Sequence, residues 1–217
     1  MVPVYKLCYI TDRLALGPKP LIPRILEAAR ADVDLIQIRE KDLPARELAA
    51  LAQAAVDGAC ESNARIVVND RLDVALAVGA AGVHLGTQSM PPRVVRDCVN
   101  RDFASRDIAS RDFLVGVSCH SLDEAVEAEA AGADYLLLGP IFPTVSKLPY
   151  GPPLGLPTLM KVTARITIPV LALGGITVER VKPCIRAGAA GIAGISIFQD
   201  CDSLAERVRE LRRHTST

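Results

Sequence analysis

The segment Tyr135-Leu-Leu-Leu138, followed by Gly139-Pro-Ile-Phe-Pro-Thr-Val-Ser-Lys147, sets the architecture that we predict for the whole chain. An apolar run of four residues that ends at Gly-Pro is typical of a strand buried on both faces of a parallel sheet. In the loop, two prolines restrict the backbone, and two hydroxyls and an ammonium group follow closely at Thr144, Ser146 and Lys147. Such a cluster suits phosphate oxygens, because hydrogen bonds between charged groups are stronger than neutral ones. A hydrophilic surface turn is the alternative interpretation of this segment alone.

Units of this kind, with an apolar run, a polar loop and a helical pattern, recur along the chain. Strands are predicted at residues 4–10, 33–38, 66–68, 82–85, 114–117, 135–138, 170–173 and 191–195. Helices are predicted at residues 21–31, 44–61, 122–131, 156–164 and 203–213, with others that end near residue 78, begin near residue 91 and end near residue 187. Eight alternations of strand and helix predict a single-domain α/β protein over residues 1–217, a (β/α)8 or TIM barrel. A doubly wound open sheet is the competitor, but no Gly-x-Gly-x-x-Gly follows the first strand.

The composition agrees with this architecture and limits the classes of partner. Half of the residues are hydrophobic and only 4% are aromatic, so the core must be built mostly from Ala, Val, Ile and Leu. Basic and acidic residues both number 25, which gives no reason to expect a nucleic-acid partner. The apolar runs are too short to cross a bilayer, and because Met1 opens directly into a strand-like segment we expect no signal peptide. Six scattered cysteines without a Cys-x-x-Cys pair predict free thiols and a cytoplasmic location, and a homo-oligomer is compatible with the sequence.

One repetitive stretch departs from the pattern of alternating strands and helices. Between residues 100 and 113 the chain reads Arg-Asp-Phe-Ala-Ser, Arg-Asp-Ile-Ala-Ser and Arg-Asp-Phe. A period of five residues matches neither a strand nor a helix, so we expect an exposed connection that has no role in function. A peptide-docking surface is the alternative.

Polar side chains gather where the predicted strands end. They are Gln37, Arg39 and Lys41 at the second strand, Asn69 and Asp70 at the third, Ser118 and His120 at the fifth, and Thr144, Ser146 and Lys147 at the sixth. In a barrel these carboxyl ends converge on one face, where active sites form. Gly174 and Gly175 follow the seventh strand and Gly194 lies at the end of the eighth, where barrels often bind phosphate through backbone amides. The pattern predicts a site for two anionic groups, although any one residue alone could be a helix cap or a structural ion pair.

Six motifs that occur in order give the chain a resemblance to a known family. They are Gln37-Ile-Arg39-Glu-Lys41, Val68-Asn69-Asp70-Arg71, Gly82-Val-His-Leu-Gly86, Gly116-Val-Ser118, Gly139-Pro-Ile-Phe-Pro-Thr144 and Gly174-Gly175-Ile176. Together they resemble thiamine phosphate synthase and its close relative, the thiazole tautomerase. The resemblance extends from Tyr5 to about Phe198.

The resemblance implies a transferase of thiamine biosynthesis that joins a hydroxymethylpyrimidine pyrophosphate to a thiazole phosphate and releases pyrophosphate with the help of Mg²⁺. It implies that the pyrimidine pyrophosphate is held by Gln37, Arg39, Lys41, Asn69, Ser118 and Lys147, and the thiazole phosphate by Thr144, Ser146, Gly175, Ile195 and Ser196. The cations Arg39, Lys41 and Lys147 would oppose the charge on the leaving group. Asp70 would bind Mg²⁺. Synthases usually carry a second metal-binding aspartate at the position of Ser89, and a serine there should weaken Mg²⁺ binding.

Three functions therefore stay open. The first is the synthase, and the second is the tautomerase, an isomerase that moves a proton on a thiazole carboxylate phosphate without a metal. His120 is the candidate acid or base of the tautomerase, since histidine titrates near neutrality. The third is a non-catalytic, phosphate-binding relative with a regulatory role. His84 is expected to pack between a strand and a helix.

Overall fold

The computed structural model describes residues 5–106, 113–144 and 152–215, with the backbone alone at residues 102–106. Eight parallel strands close into a barrel in the order of the chain, each beside its sequence neighbours. They are β1 (Leu7–Ile10), β2 (Leu35–Ile38), β3 (Arg65–Asn69), β4 (Gly82–Leu85), β5 (Leu114–Cys119), β6 (Tyr135–Leu138), β7 (Val170–Leu173) and β8 (Gly191–Gly194). The ring is completed by β8 and β1, where Ile192 stands opposite Leu7. The predicted (β/α)8 barrel is confirmed.

The connections between strands are mostly helical. The helices are α1 (Arg13–Leu16), α2 (Leu21–Arg30), α3 (Ala45–Ala59), α4 (Leu72–Ala77), α5 (Pro92–Arg106), α6 (Leu122–Ala130), α7 (Gly155–Arg165), α8 (Val178–Arg186), α9 (Ser196–Gln199) and α10 (Leu204–Thr215). Two of them, α1 and α9, are single turns that the sequence did not predict, because a four-residue turn is too short to show an amphipathic period. Both lie at the end of the barrel where the polar residues gather.

The core consists of two apolar layers, as expected of strands whose side chains alternate between the two faces of the sheet. The inner layer fills the barrel with residues such as Cys8, Leu137 and Leu171. The outer layer joins the strands to the helices, and the alanine-rich face of α3 buries Ala52 and Ala55 there. Small side chains allow helices to approach the strands closely, which agrees with the low aromatic content.

The structure corrects the expectation for the repetitive stretch. Its first copy, residues 101–105, belongs to α5, which continues to Arg106. Val95 and Val99, one turn apart, are fully buried and fix the helix on the barrel. Each further residue then adds one hydrogen bond to an existing helix, and Arg and Ala are good helix formers. Residues 107–112, which complete most of the second and third copies, lie outside the described residues.

Two other features bear on the class of protein. None of the helices in the described ranges is long and apolar enough to span a bilayer. All six cysteines are free thiols.

Candidate active site

A cavity of about 980 Å³ lies at the carboxyl ends of the strands. This volume is at the upper end of the range that is usual for small-molecule sites. The structure brings the following predicted site residues together around it: Gln37, Arg39, Lys41, Asn69, Asp70, Ser89, Ser118, His120, Thr144, Gly175, Ile195 and Ser196. The other two predicted site residues, Ser146 and Lys147, lie outside the described residues.

The floor of the cavity beside β2 and β3 carries a pair of amides. Gln37, which is buried, donates a hydrogen bond from Nε2 to Oδ1 of Asn69 at 2.9 Å. Its other amide atom, Oε1, is buried and has no hydrogen-bond partner among the described residues. Because a buried acceptor without a partner is unfavourable by about 1–3 kcal/mol, this oxygen is suited to accept a hydrogen bond from a ligand.

A chain of three polar side chains, Ser118, His84 and Tyr135, extends from the cavity into the barrel. His84 on β4 places Nε2 2.9 Å from Oγ of Ser118 and Nδ1 3.2 Å from the hydroxyl of Tyr135. Burial, with a smaller contribution from the positive charge of Arg39, lowers the pKa of His84 to about 3, so the imidazole is neutral. A neutral hydrogen bond with the ring therefore fixes the position of the Ser118 hydroxyl, and Ser118 lines the cavity.

The expectation that His84 packs between a strand and a helix is wrong. Its neighbours Val83 and Leu85 belong to the outer layer that contacts the helices. Side chains alternate along a strand, so the residue between them points into the barrel.

Two residues that the sequence analysis does not single out, Thr11 and Glu40, fix the loop after β2. Glu40 is only 4% exposed, and its Oε1 accepts a hydrogen bond from the Thr11 hydroxyl at 2.6 Å. The same hydroxyl oxygen accepts a hydrogen bond from the Arg39 amide at 2.9 Å, and the Arg13 amide donates to Glu40 Oε2 at 3.0 Å. The available signals were a threonine at the end of the first strand and a glutamate between Arg39 and Lys41. Their contact fixes the backbone that carries both cations.

The predicted metal ligands lie on neighbouring loops at the rim. Asp70 is exposed, with a positive φ of 65°, and its amide donates to the His84 carbonyl at 2.8 Å. Ser89 Oγ accepts a hydrogen bond from the Gly86 amide at 2.8 Å, which commits one of its lone pairs to the turn. Within the described ranges no group of three or more His, Cys, Asp or Glu side chains could hold a metal by itself. One carboxylate and one hydroxyl still fit Mg²⁺, which is commonly bound by one or two carboxylates together with substrate phosphates.

The loops after β6 and β7 are joined edge to edge. The Ile141 amide donates to the Leu173 carbonyl at 2.8 Å, and the Phe142 amide donates to the Gly174 carbonyl at 3.1 Å. Gly175 has a φ of 64°, and a Cβ there would stand 2.6 Å from the Pro143 carbonyl oxygen. Only glycine allows so close an approach. The contact brings the backbone of Gly175 and the start of the hydroxyl-rich loop to the same side of the cavity.

His120 lies at the cavity rim after β5. Its backbone amide donates to Oε2 of Glu124 at 2.7 Å, and its Nδ1 is 3.4 Å from the same oxygen. The imidazole therefore lies beside the Glu124 carboxylate at the edge of the cavity.

Comparison with known proteins gives a consistent result. Residues 7–198 match the model of the family described as thiamine monophosphate synthase (TMP-TENI). The chain is 43% identical over 208 residues to a putative thiamine-phosphate synthase of Geobacter sulfurreducens, which covers 95% of this chain and 92% of the relative. It is 37% identical over 200 residues to the thiamine-phosphate synthase of Clostridium novyi, with 92% and 93% covered. The solved structure of a thiamine phosphate pyrophosphorylase from Pyrococcus furiosus is similar with a TM-score of 0.82 and 35% identity, over 97% of this chain and 95% of that one.

Proposed function

The chain belongs to the thiamine monophosphate synthase family, whose synthases are transferases of thiamine biosynthesis, and we propose that it catalyses their reaction. A hydroxymethylpyrimidine pyrophosphate and a thiazole phosphate would combine to give thiamine phosphate and pyrophosphate. The observation that carries the proposal is that one cavity is lined both by the cations after β2 and by Gly174, Gly175 and the carboxyl end of β8. The cavity offers room and charge for two phosphorylated substrates side by side.

The pyrimidine pyrophosphate is assigned to the side of β2, β3 and β5. The buried Oε1 of Gln37 can accept a hydrogen bond from an amino group of the pyrimidine, and the Ser118 hydroxyl lies above His84 nearby. Arg39 and Lys41 line the same cavity and can oppose the negative charge of the pyrophosphate. Hydrogen bonds through Thr11 and Glu40 hold the backbone of this loop before the substrate arrives.

The proposed reaction breaks one bond and forms one, and neither step requires a general base. The bond between the pyrimidine methylene carbon and the pyrophosphate oxygen breaks, and its electron pair leaves with pyrophosphate. The thiazole nitrogen then donates its lone pair to the resulting pyrimidine cation and forms the new C–N bond. Since the negative charge grows on the leaving group, cations fixed beside it lower the barrier, and positioning of the thiazole supplies much of the remainder.

The thiazole phosphate is assigned to the opposite side, at the ends of β6, β7 and β8. Thr144, Gly175, Ile195 and Ser196 line the cavity there. Hydroxyls and backbone amides are suitable donors to a phosphate. Ser146 and Lys147 are assigned to the substrates by the family resemblance alone, because both lie outside the described residues.

Asp70 is the residue that we expect to hold Mg²⁺, with Ser89 as a weaker oxygen donor beside it. When bound, Mg²⁺ supplies positive charge to the pyrophosphate oxygens and so favours their departure. The carboxylate of Asp70 is exposed at the rim, where a pyrophosphate can complete the coordination.

A thiazole tautomerase is the second candidate, and the pairing of His120 with Glu124 favours it. An imidazole whose Nδ1 faces a carboxylate is a suitable group for moving a proton on a bound thiazole. A phosphate-binding relative without catalysis is the third candidate. For all three we propose small phosphorylated ligands and a cytoplasmic location, in keeping with six free cysteines.

The decisive experiment is incubation of the protein with both synthase substrates and Mg²⁺, with thiamine phosphate measured after conversion to a fluorescent thiochrome. Asp70→Asn should abolish most of the product, whereas Asp57→Asn, an exposed position on α3, should leave it unchanged. A parallel incubation with the thiazole carboxylate phosphate measures isomerisation. Isomerised thiazole without thiamine phosphate at saturating Mg²⁺ would assign the chain to the tautomerases. Absence of both products would leave only the binding role.

A further inference from the structure

Arg180 on α8 contacts both loops that border the proposed thiazole phosphate site. Its Nη1 donates a hydrogen bond to the Gly175 carbonyl at 2.6 Å. Its guanidinium carbon lies 4.7 Å from the centre of the Phe142 ring. Phe142 belongs to the loop after β6 and Gly175 to the loop after β7, so one half-buried side chain joins the two.

Arg180 adds a side-chain connection to the backbone hydrogen bonds that already join these two loops. Gly174 and Gly175 have positive φ values of 90° and 64°, and glycine loses more conformational freedom on ordering than any other residue. Thr144 follows Phe142 by two residues and lines the cavity beside Gly175. A shift of Phe142 away from Gly175 would therefore also move the backbone that carries Thr144.

We propose that Arg180 is a positioning residue that holds the loop after β6 against the glycine loop after β7 and thereby sets the affinity for the thiazole phosphate. The proposal rests on the proposed function, because it concerns one of the two substrates of that reaction. Arg180 lies outside the cavity lining, so it acts through Gly175 and Phe142. Holding both loops in the binding geometry lowers the entropy that ligand binding must otherwise overcome.

A lysine at position 180 could not contact the Gly175 carbonyl and the Phe142 ring at the same time as well as arginine does. A planar guanidinium can lie over an aromatic face while its edge donates a hydrogen bond to a carbonyl. An ammonium group is a compact point charge, and it satisfies one of the two partners at a time. Both contacts of this side chain lie on the loops after β6 and β7, whereas the pyrimidine side of the cavity is built on β2, β3 and β5, so the affinity for the pyrimidine pyrophosphate should not depend on Arg180.

The test compares Arg180→Lys, Arg180→Gln and Phe142→Leu with the wild type. Arg186→Gln, at an exposed position of the same helix, is the matched control. The measurements are the KM for each substrate, kcat, and the Kd of the thiazole phosphate by calorimetry. We expect Arg180→Gln to raise the KM and Kd for the thiazole phosphate about tenfold, which corresponds to the loss of one cation–π contact and one charged hydrogen bond. The KM for the pyrimidine pyrophosphate should change less than about twofold.

The outcomes separate positioning from a general structural role. Thermal unfolding is measured for each variant, and Arg180→Lys and Phe142→Leu keep the test valid should Arg180→Gln fold poorly. Equal increases of both KM values, or an unchanged Kd for the thiazole phosphate in folded variants, would overturn the proposal. A wild type that binds the thiazole phosphate but makes no thiamine phosphate would refute the proposed function and leave the Kd comparison to decide the role of Arg180. A wild type that does not bind the thiazole phosphate would overturn both.

Discussion

Thr11→Val removes a single hydroxyl from a fully buried position while nearly preserving the shape of the side chain. In the wild type this hydroxyl donates to Glu40 Oε1 at 2.6 Å and accepts from the Arg39 amide at 2.9 Å. Valine leaves a buried carboxylate oxygen and a backbone N–H without these partners, and each loss costs about 1–3 kcal/mol. Glu40 keeps its hydrogen bond from the Arg13 amide, so we expect the free energy of unfolding to fall by about 3 kcal/mol in all. For a chain of this length that corresponds to a decrease in Tm of roughly 6–12 °C.

The assay is urea unfolding followed by circular dichroism, together with thermal scanning at the same pH. Thr11→Ser is the matched control, because it keeps the hydroxyl and loses only a methyl group, at a cost of about 1 kcal/mol. Thiamine phosphate formation should also decrease in Thr11→Val, since Arg39 loses the hydrogen bond that fixes its backbone. A valine variant that is no less stable than the serine variant would refute the reasoning.

Three further predictions concern the site. The pKa of His84 is lowered from its ordinary value of 6.5 to about 3, so the unfolded chain binds this proton at a higher pH than the folded protein does. Stability should therefore decrease as the pH falls from about 6.5 toward 3, by up to about 1.4 kcal/mol per pH unit, and urea unfolding should show a flatter profile for His84→Gln; equal slopes would contradict it. Ser89→Asp should lower the Mg²⁺ concentration for half-maximal activity, because a carboxylate is a better ligand for Mg²⁺ than a hydroxyl; identical titrations would show that position 89 does not contact the metal. Lys147→Ala should reduce kcat/KM by about a hundredfold or more through loss of a cation near the leaving group, and unchanged turnover would make Lys147 an ordinary surface residue.

Much of the fold could be predicted because the strands of a parallel barrel are apolar runs with clear ends. The bounds of β4, β6 and β7 agree with the predictions to the residue, since glycine or a turn follows each run. The fifth strand was predicted too short, at residue 117, whereas β5 continues to Cys119. A polar Ser118 resembles a strand end, but backbone pairing with Leu137 does not depend on the polarity of the side chain.

The sequence predicts which residues line the candidate site better than it predicts which of them contact each other. Residues that follow parallel strands meet at one face whatever their identity, and this brought Gln37 and Asn69 together. The direction of His84 depends on the alternation of a four-residue strand, where a shift of one position reverses it. The contact of Thr11 with Glu40 joins residues 29 apart, and no local pattern encodes such a pair. Arg180 was missed for the same reason, since its partners lie on two different loops.

The pairing of β1 with β8 has a consequence for synthesis on the ribosome. Leu7 stands opposite Ile192. One edge of β1, the first strand to be synthesised, therefore stays unpaired until almost the whole chain has been made. Likewise, Arg24 on α2 cannot donate its hydrogen bond to the Phe198 carbonyl until that residue, 174 positions later, has been synthesised. Until then the nascent sheet has an open edge of unpaired amides and carbonyls, which can pair with another chain. Closing the ring is a contact of very high sequence separation, and such contacts form slowly. The second edge of β1 can therefore be covered only after residues 191–194 have left the ribosome.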